Sequence, residues 1–515
     1  MGREDEIVKE RIKKIEELRS KDIDPFSHKF KYESDRIFSE DILKNFNNLE
    51  NEEISKESVA IAGRVMFLRS FGKLAFAKVQ DIKGQIQVVL QSEKTSQEVF
   101  DLFSLIDSGD IIGIKGNPMK TRTGEISILV KELDLLTKSI LPLPDKVHGL
   151  KDEEEKLRKR YLDIIMNSET KELFIKKQRY YSTIRNFLIE REFLEVETPI
   201  LETSAGGAAA NPFATHHRAL DLDVFLRISV GELWQKKLLV AGYEKTFEMG
   251  RIFRNEGMDA DHLQDYTSME FYWGYADYND GMKLVEEMYK KIALAVNNSL
   301  IFETRGHKVD LGKKWELYDY ETLIEEKTKL NIYKATKKDI VKFLEKEKIE
   351  FDPNVDKWRL VDILWKYCRK QLSGPGFLVG QPVELTPLAK RKKEDPRKVE
   401  QFQVILAGSE LGNGYSELND PLDQEERFKE QMKQKEAGDE ESMDHDEEFV
   451  EALKYGMPPA CGFGVSERFF SFLVNKPIRE TSIFPLMKPS NSPQKKEEKK
   501  EKKDGSSKQN RNKRS

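Results

Sequence analysis

Between residues 57 and 137 apolar and polar positions alternate in short runs: VAIAGRVMFL, LAFAKVQD, GQIQVVLQ, DIIGIKGNPM and EISILVKELDLL. A period of two predicts strands, and the turn signals KG and TG separate them. Five strands packed this closely predict a small closed barrel of the five-stranded OB type over 57–140. Ahead of it, in a helical extension over 1–56, Ile7, Ile12, Ile15 and Leu18 recur among Lys, Arg and Glu. That spacing predicts an amphipathic helix, either packed on its neighbour or acting as a basic arm on RNA.

The pattern changes after the barrel. LPLPDKVHGLKDEEEKLRKRYLDI reads as a linker, 141–164, passing into a charged helix. A long α+β region then runs from 165 to 488, opening with the helix TKELFIKKQRYYSTIRNFLIER. In EFLEVETPIL, Pro199 interrupts a strand and favours an edge or bulge. Lys- and Glu-rich helical sequence over about 317–372 reads as an insertion in this main domain. The last stretch, 489–515, has almost no apolar residue and is expected to be a disordered basic tail, inert or attracted to RNA.

Composition narrows the class. Charged residues make up 35% of the chain, yet the signs nearly cancel to a net charge of −5. Any nucleic-acid partner must therefore be met by a local patch rather than by the whole molecule. Cys368 and Cys461 are the only cysteines, too few for a disulfide framework or a thiolate zinc site. No apolar run is long enough for a membrane span, and MGREDEIVKERIKK lacks the apolar core of a signal peptide. A cytoplasmic protein with no membrane partner is the expectation.

Candidate chemistry sits on three segments. Alternation along FEMGRIFRNE places Glu248, Ile252, Arg254 and Glu256 on one face. Along YTSMEFYW it gives Tyr266, Ser268, Glu270 and Tyr272, and NGYSE aligns Asn413, Tyr415 and Glu417. If the faces share a sheet, a fixed guanidinium lies among carboxylates, aromatics and amides. Arginine suits phosphate or carboxylate oxygens, and the glutamates suit ammonium groups or divalent cations. An ordinary ion-pair network on an exposed sheet is the competing explanation. The loop GMDADHLQD carries His262, a solvated histidine or a contact to phosphates. In PPACGFGVSERFFSFL, Gly462 and Gly464 precede Arg468 at the opening of an apolar helix, a weak anion-site signal that the arginine strengthens.

Taken together, FRNEG, YTSMEFYWGYADY, GNGYSELNDP and CGFGVSER resemble the class II aminoacyl-tRNA synthetases, specifically the lysyl-tRNA synthetases. With PVELTPLAKR the ordered set is specific, and the likeness covers nearly the whole chain except the basic tail. The resemblance implies an antiparallel sheet flanked by helices and a homodimer formed near Pro199. It implies that Arg254 holds the α-phosphate of ATP and the lysine carboxylate, that Glu256, His262 and Glu410 contact ATP, that Tyr266 stacks on adenine, and that Arg468 meets the γ-phosphate. Lysine would lie among Gly207, Glu232, Glu270, Tyr272, Asn413, Tyr415 and Glu417. In the barrel, Phe76, Gln87 and Glu125 fall where the family reads the anticodon of tRNA(Lys). Stacking on an aromatic and hydrogen bonds to base edges suit those residue types, although Phe76 equally suits a barrel core.

Departures from the family pattern cluster at the site. RISVGELWQ is one residue longer than usual before Glu232, and GFGVSER one shorter, which suggests a coupled local change. Gln403 stands where a magnesium-binding glutamate is expected, while Glu410 keeps the second carboxylate, so one Mg2+ site should be weaker. Asn211 replaces an arginine in AAANPF, with no evident consequence. The expected activity is ATP-dependent activation of L-lysine and its transfer to tRNA. The alternatives are an aspartate or asparagine enzyme of the same subclass and a non-catalytic tRNA-binding relative.

Overall fold

A computed structural model describes residues 3–144, 150, 152–204, 210–353, 355–436 and 446–489. Gly207, residues 145–149 and 151 of the expected linker, and the tail from 490 onward lie outside the described residues. The chain divides into two compact units at Glu153.

In the first unit the strands Val59–Phe71, Leu74–Gln80, Gln85–Gln91, Ile126–Thr137 and Ile111–Lys120 close, in that order, into a barrel. Alternation puts Ala75, Ala77 and Val79, Ile86 and Val88, and Ile128 and Val130 inside. The helix Arg3–Ser20 forms as predicted, but its buried stripe differs. Ile15 and Leu18 are buried, whereas Ile12 is 42% exposed and Arg11 takes the inner position. Residues 11, 15 and 18 follow the i, i+4, i+7 repeat, which Ile12 misses by one step. Arg11 is tolerated there because its guanidinium donates to the carbonyls of Ser108, Ser139 and Leu141 at 2.8 to 3.0 Å.

The second unit is built on an eight-stranded sheet. Its order is Glu316–Asp319, Gly376–Val379, Gln401–Leu406, Ser409–Ser416, Ala460–Ser466, Asp265–Gly274, Lys245–Phe253, Leu194–Glu195. Neighbours are antiparallel except at the two ends. One face buries Phe247, Met269, Phe271, Phe402 and Phe463 against the helices Ser168–Ile189 and Tyr278–Asn297. The second helix begins with Asp277 and Asp280 in a capping box, which fixes its start beside the sheet. The other face of the central strands is left for the site.

One boundary differs from the sequence reading. Residues 316–319 are a sheet strand, so the helical segment begins at Tyr320. Its helices Tyr320–Thr328, Lys337–Lys346 and Lys357–Arg369 share a core that includes Leu378 and Ile405 of the sheet. The charged helix expected at the end of the linker segment forms as two pieces, Glu153–Arg158 and Arg160–Met166. Arg160 pairs with Asp163 at 2.9 Å and reaches the Glu480 carbonyl, which ties this segment into the second unit. Pro199 lies between the short strands Leu194–Glu195 and Leu201–Glu202.

Candidate active site

A cavity of about 510 Å³ opens over the free face of the sheet. Its floor follows from strand register. One rung runs Gln403, Asn413, Gly464, Glu270 across four strands, and the next runs Gln401, Tyr415, Gly462, Tyr272. Each rung has a glycine in the middle, so long side chains converge over an open centre. A Cβ on Gly462 would lie 2.1 Å from Glu417 Oε1 and 2.7 Å from a Tyr272 ring carbon. These glycines clear space for side chains; they are not a phosphate-cradling turn, and the helix after them, Arg468–Leu473, has only six residues.

At one end of the cavity three carboxylates meet. Glu232 opens the helix Glu232–Val240 after Gly231, whose φ is +67° and whose Cβ would strike Thr198 Oγ1 at 2.3 Å. Only glycine makes that turn, and the turn falls in the stretch that is one residue longer than expected. Tyr415 donates its hydroxyl proton to Glu232. Glu270 accepts from the Val230 backbone N–H at 2.8 Å and from the Tyr272 hydroxyl at 3.0 Å. Burial first, and the nearby Glu232 second, raise its pKa above the ordinary carboxylate range. Glu417 is 1% exposed. Lys236 Nζ lies 2.7 Å from its Oε2, yet among the described residues neither oxygen has an aligned hydrogen-bond donor. Burial, together with Glu232 and Glu270, pushes the Glu417 carboxyl up, and Lys236 pulls it back down.

At the other end are two arginines. Arg254 lies near the face of Tyr266, 6.0 Å from its centroid, and has one long contact, 3.5 Å, to the Ile228 carbonyl. Its buried Nε has no hydrogen-bond partner among the described residues. Arg468 donates to the Glu410 carbonyl at 3.1 Å and approaches Asp261, which also holds Arg305 at 2.9 Å. The cavity thus carries a guanidinium short of acceptors and a carboxylate short of donors. A ligand with an anionic and a cationic end supplies both.

Arg254, His262, Tyr266, Glu232, Glu270, Tyr272, Gln403, Glu410, Asn413, Tyr415, Glu417 and Arg468 all line this cavity. Glu256 does not. The strand ends at Phe253, so the alternation that placed Glu248, Ile252, Arg254 and Glu256 together stops there. Glu256 is exposed in the following loop, and Arg254 reaches the cavity from a turn whose N–H donates to Gln264. Glu248 is occupied structurally, paired with buried Arg227 and accepting from Thr198. Asn211 offers its carbonyl to the Asn255 N–H, which braces the same turn.

Sequence reasoning missed Lys236, although a lysine four residues after a helical glutamate is an ion-pair spacing. It also missed Asp261, and Trp358 and Arg359 of the helix Lys357–Arg369, which enter the cavity wall. No periodicity links that distant helix to the sheet.

In the barrel, Phe76, Gln87 and Glu125 meet on one outer face. Phe76 is half-buried against Val89, Met119 and Leu129, outside the barrel core. Gln87 donates to Ser127 at 3.0 Å, and Glu125 pairs with Lys78 at 2.9 Å. An aromatic, an amide and a charged pair are thus side by side on adjacent strands.

Comparison with known proteins agrees with both units. Residues 152–488 match the family described as tRNA synthetases class II (D, K and N), and residues 59–136 match the OB-fold nucleic acid binding domain. The chain belongs to this class II tRNA synthetase family. It is similar to the lysine–tRNA ligase of Thermoanaerobacter pseudethanolicus, 41% identical over 94% of this chain and 97% of that one. The lysine–tRNA ligase of Thermotoga maritima is also 41% identical, over 94% and 96%. That of Staphylococcus epidermidis is 40% identical over 93% and 97%.

Proposed function

We propose that this chain activates L-lysine with ATP and transfers the lysyl group to the 3′ end of lysine tRNA. The carrying observation is the pairing of the donor-poor Glu417, flanked by Glu232 and Glu270, with the acceptor-poor Arg254 in one cavity. Lysine has two ammonium groups to place among three glutamates, and Tyr272 and Tyr415 can pack its aliphatic stem. An aspartate side chain would bring a second anion toward that carboxylate cluster.

The lysine carboxylate oxygen attacks the α-phosphorus of ATP in line, the bond to the bridging oxygen breaks, and pyrophosphate leaves. Arg254 neutralises charge at the α-phosphate and orients the carboxylate; Arg468 meets the outer phosphates after exchanging Asp261 for them. No side chain forms a covalent bond, so the rate comes from positioning and charge compensation. A tRNA ribose hydroxyl then attacks the acyl carbon of the adenylate, and AMP departs.

Gln403 and Glu410 would hold a magnesium ion beside the ATP phosphates, Glu410 through the oxygen that Trp365 Nε1 does not occupy. Both line the cavity, and the Gln403 Oε1 is buried without a hydrogen-bond partner among the described residues. Magnesium would neutralise phosphate charge there. Phe76, Gln87 and Glu125 would read anticodon bases by stacking and edge contacts. Ile189, Leu194, Ile200 and Leu201, close in sequence to Pro199, are each exposed, and this apolar surface would suit a second copy of the chain. No described helix is long and apolar enough to cross a membrane.

Lysine-dependent ATP–pyrophosphate exchange, run beside aspartate and asparagine, tests the reading. Exchange with lysine alone is expected. Exchange with aspartate or asparagine instead would reassign the substrate, and tRNA binding without any exchange would make the protein a non-catalytic binder.

A further inference from the structure

Lys236 lies behind the cavity wall. It is 1% exposed and does not line the cavity. Its Nζ sits 2.7 Å from Glu417 Oε2 and 3.3 Å from Glu232 Oε1. The rings of Tyr415, Tyr272 and Phe449 stand 5.5 to 5.8 Å away. An ammonium so enclosed is retained only if the carboxylates it faces are ionised.

We propose that Lys236 is a positioning residue that sets the charge of the amino-acid pocket: by neutralising one of Glu232, Glu270 and Glu417, it leaves two net negative charges for a ligand with two ammonium groups. This rests on the lysine reading above. Arg254 answers the ligand carboxylate separately, so each ligand charge has one counterpart. Without Lys236 the pocket would confine three carboxylates around two ammonium groups, and one carboxyl would hold a proton. Lys236 also anchors Glu417 from behind, leaving its other oxygen, Oε1, for the ligand.

The groups facing Glu417 define the titration. They are Lys236 and Glu232 on the helix Glu232–Val240, Glu270 and Tyr272 on the strand Asp265–Gly274, Tyr415 on the strand that ends one residue before Glu417, and the Cys461 thiol on the strand between those two. Lys236 is the single cation among them. Burial lowers the pKa of Lys236, but attraction to Glu417 and Glu232 outweighs this and leaves it raised. The proton of the pair therefore stays on the lysine. Removing the ammonium removes the pull that keeps Glu417 ionised, so the carboxyl takes up a proton that the ligand must displace to bind.

The test is lysine-dependent pyrophosphate exchange at saturating MgATP between pH 6 and 9.5, for the wild type, Lys236→Met and Lys236→Arg. For Lys236→Met the KM for lysine at pH 7 should rise by about tenfold or more, one unit of pKa being a factor of ten in the ionised fraction, while kcat changes by less than about threefold. Its acid limb in kcat/KM should move up by about a pH unit or more, so the deficit shrinks toward pH 9. Lys236→Arg should keep the wild-type limb. A deficit equal at every pH, or an unmoved limb, overturns the proposal. Absence of lysine-dependent exchange in the wild type overturns the lysine reading instead. If Lys236→Met does not fold by near-ultraviolet circular dichroism, the double variant Lys236→Met/Glu417→Gln decides. Recovery of folding supports an action through Glu417, and continued failure overturns it.

Discussion

Replacing Gly462 by alanine adds one methyl group to the floor of the pocket. Its φ is not in the left-handed region, so the backbone accepts alanine and only the space is contested. The new Cβ would stand 2.1 Å from Glu417 Oε1, against the 3.4 Å or more of ordinary contact, and 2.7 Å from a Tyr272 ring carbon. The carboxylate must therefore retreat by more than an ångström, although Lys236 holds it from behind. A misplacement of about 1 Å costs on the order of 10²-fold in rate, or about 2.7 kcal/mol. The corresponding loss is expected in kcat/KM for lysine, with the KM for ATP within about threefold because Arg254 and Arg468 are untouched. Overpacking should also lower stability by about 1–3 kcal/mol. Gly464→Ala is the internal control, since its Cβ would meet Glu270 Cγ at 3.2 Å, a much milder conflict. Pyrophosphate exchange with lysine and ATP varied separately gives both parameters. A Gly462→Ala enzyme with lysine KM and kcat within threefold of wild type, or one no worse than Gly464→Ala, would refute the reasoning.

Gln403→Glu should lower the magnesium concentration for half-maximal exchange, because a buried amide oxygen becomes an anionic ligand; superimposable titrations would sink that expectation. Glu202, which burial raises to about 7, holds a proton in the folded state that the unfolded chain has released. Between pH 5 and 7 it therefore makes stability fall as pH rises, by about 1.4 kcal/mol per pH unit. Thermal melts of Glu202→Gln should show a shallower decline than wild type, and equal slopes would argue against the shift. Removing residues 489–515 should weaken tRNA binding at low salt and have little effect at high salt, as measured by filter binding; unchanged low-salt affinity would mark the tail as inert.

Strand periodicity carried much of the site. It placed Tyr266, Ser268, Glu270 and Tyr272 on one face, and all four line the cavity. It failed at Glu256, because a period-two rule holds only while the chain remains extended, and the strand ends three residues earlier. Arg254 survives that error because a turn braced by Gln264 and Asn211 returns it to the cavity. The glycines at 462 and 464 were visible, but their purpose depends on which side chains oppose them across the sheet. Lys236 and Arg359 belong to helices whose docking is decided by cores distant in sequence. The barrel was legible because each strand alternates between its own interior and exterior, a local signal.

The rungs of the sheet also act as a ruler. Gln403 and Glu270 are separated by three strand-to-strand steps, each about 4.8 Å, so about 14 Å divides their backbone positions. Hydrogen bonding along the sheet sets that length, and no change of rotamer alters it. Substitutions on a rung change what is presented at a mark, leaving the mark where it was. A family that spans three amino acids can thus keep one scale and rewrite its labels.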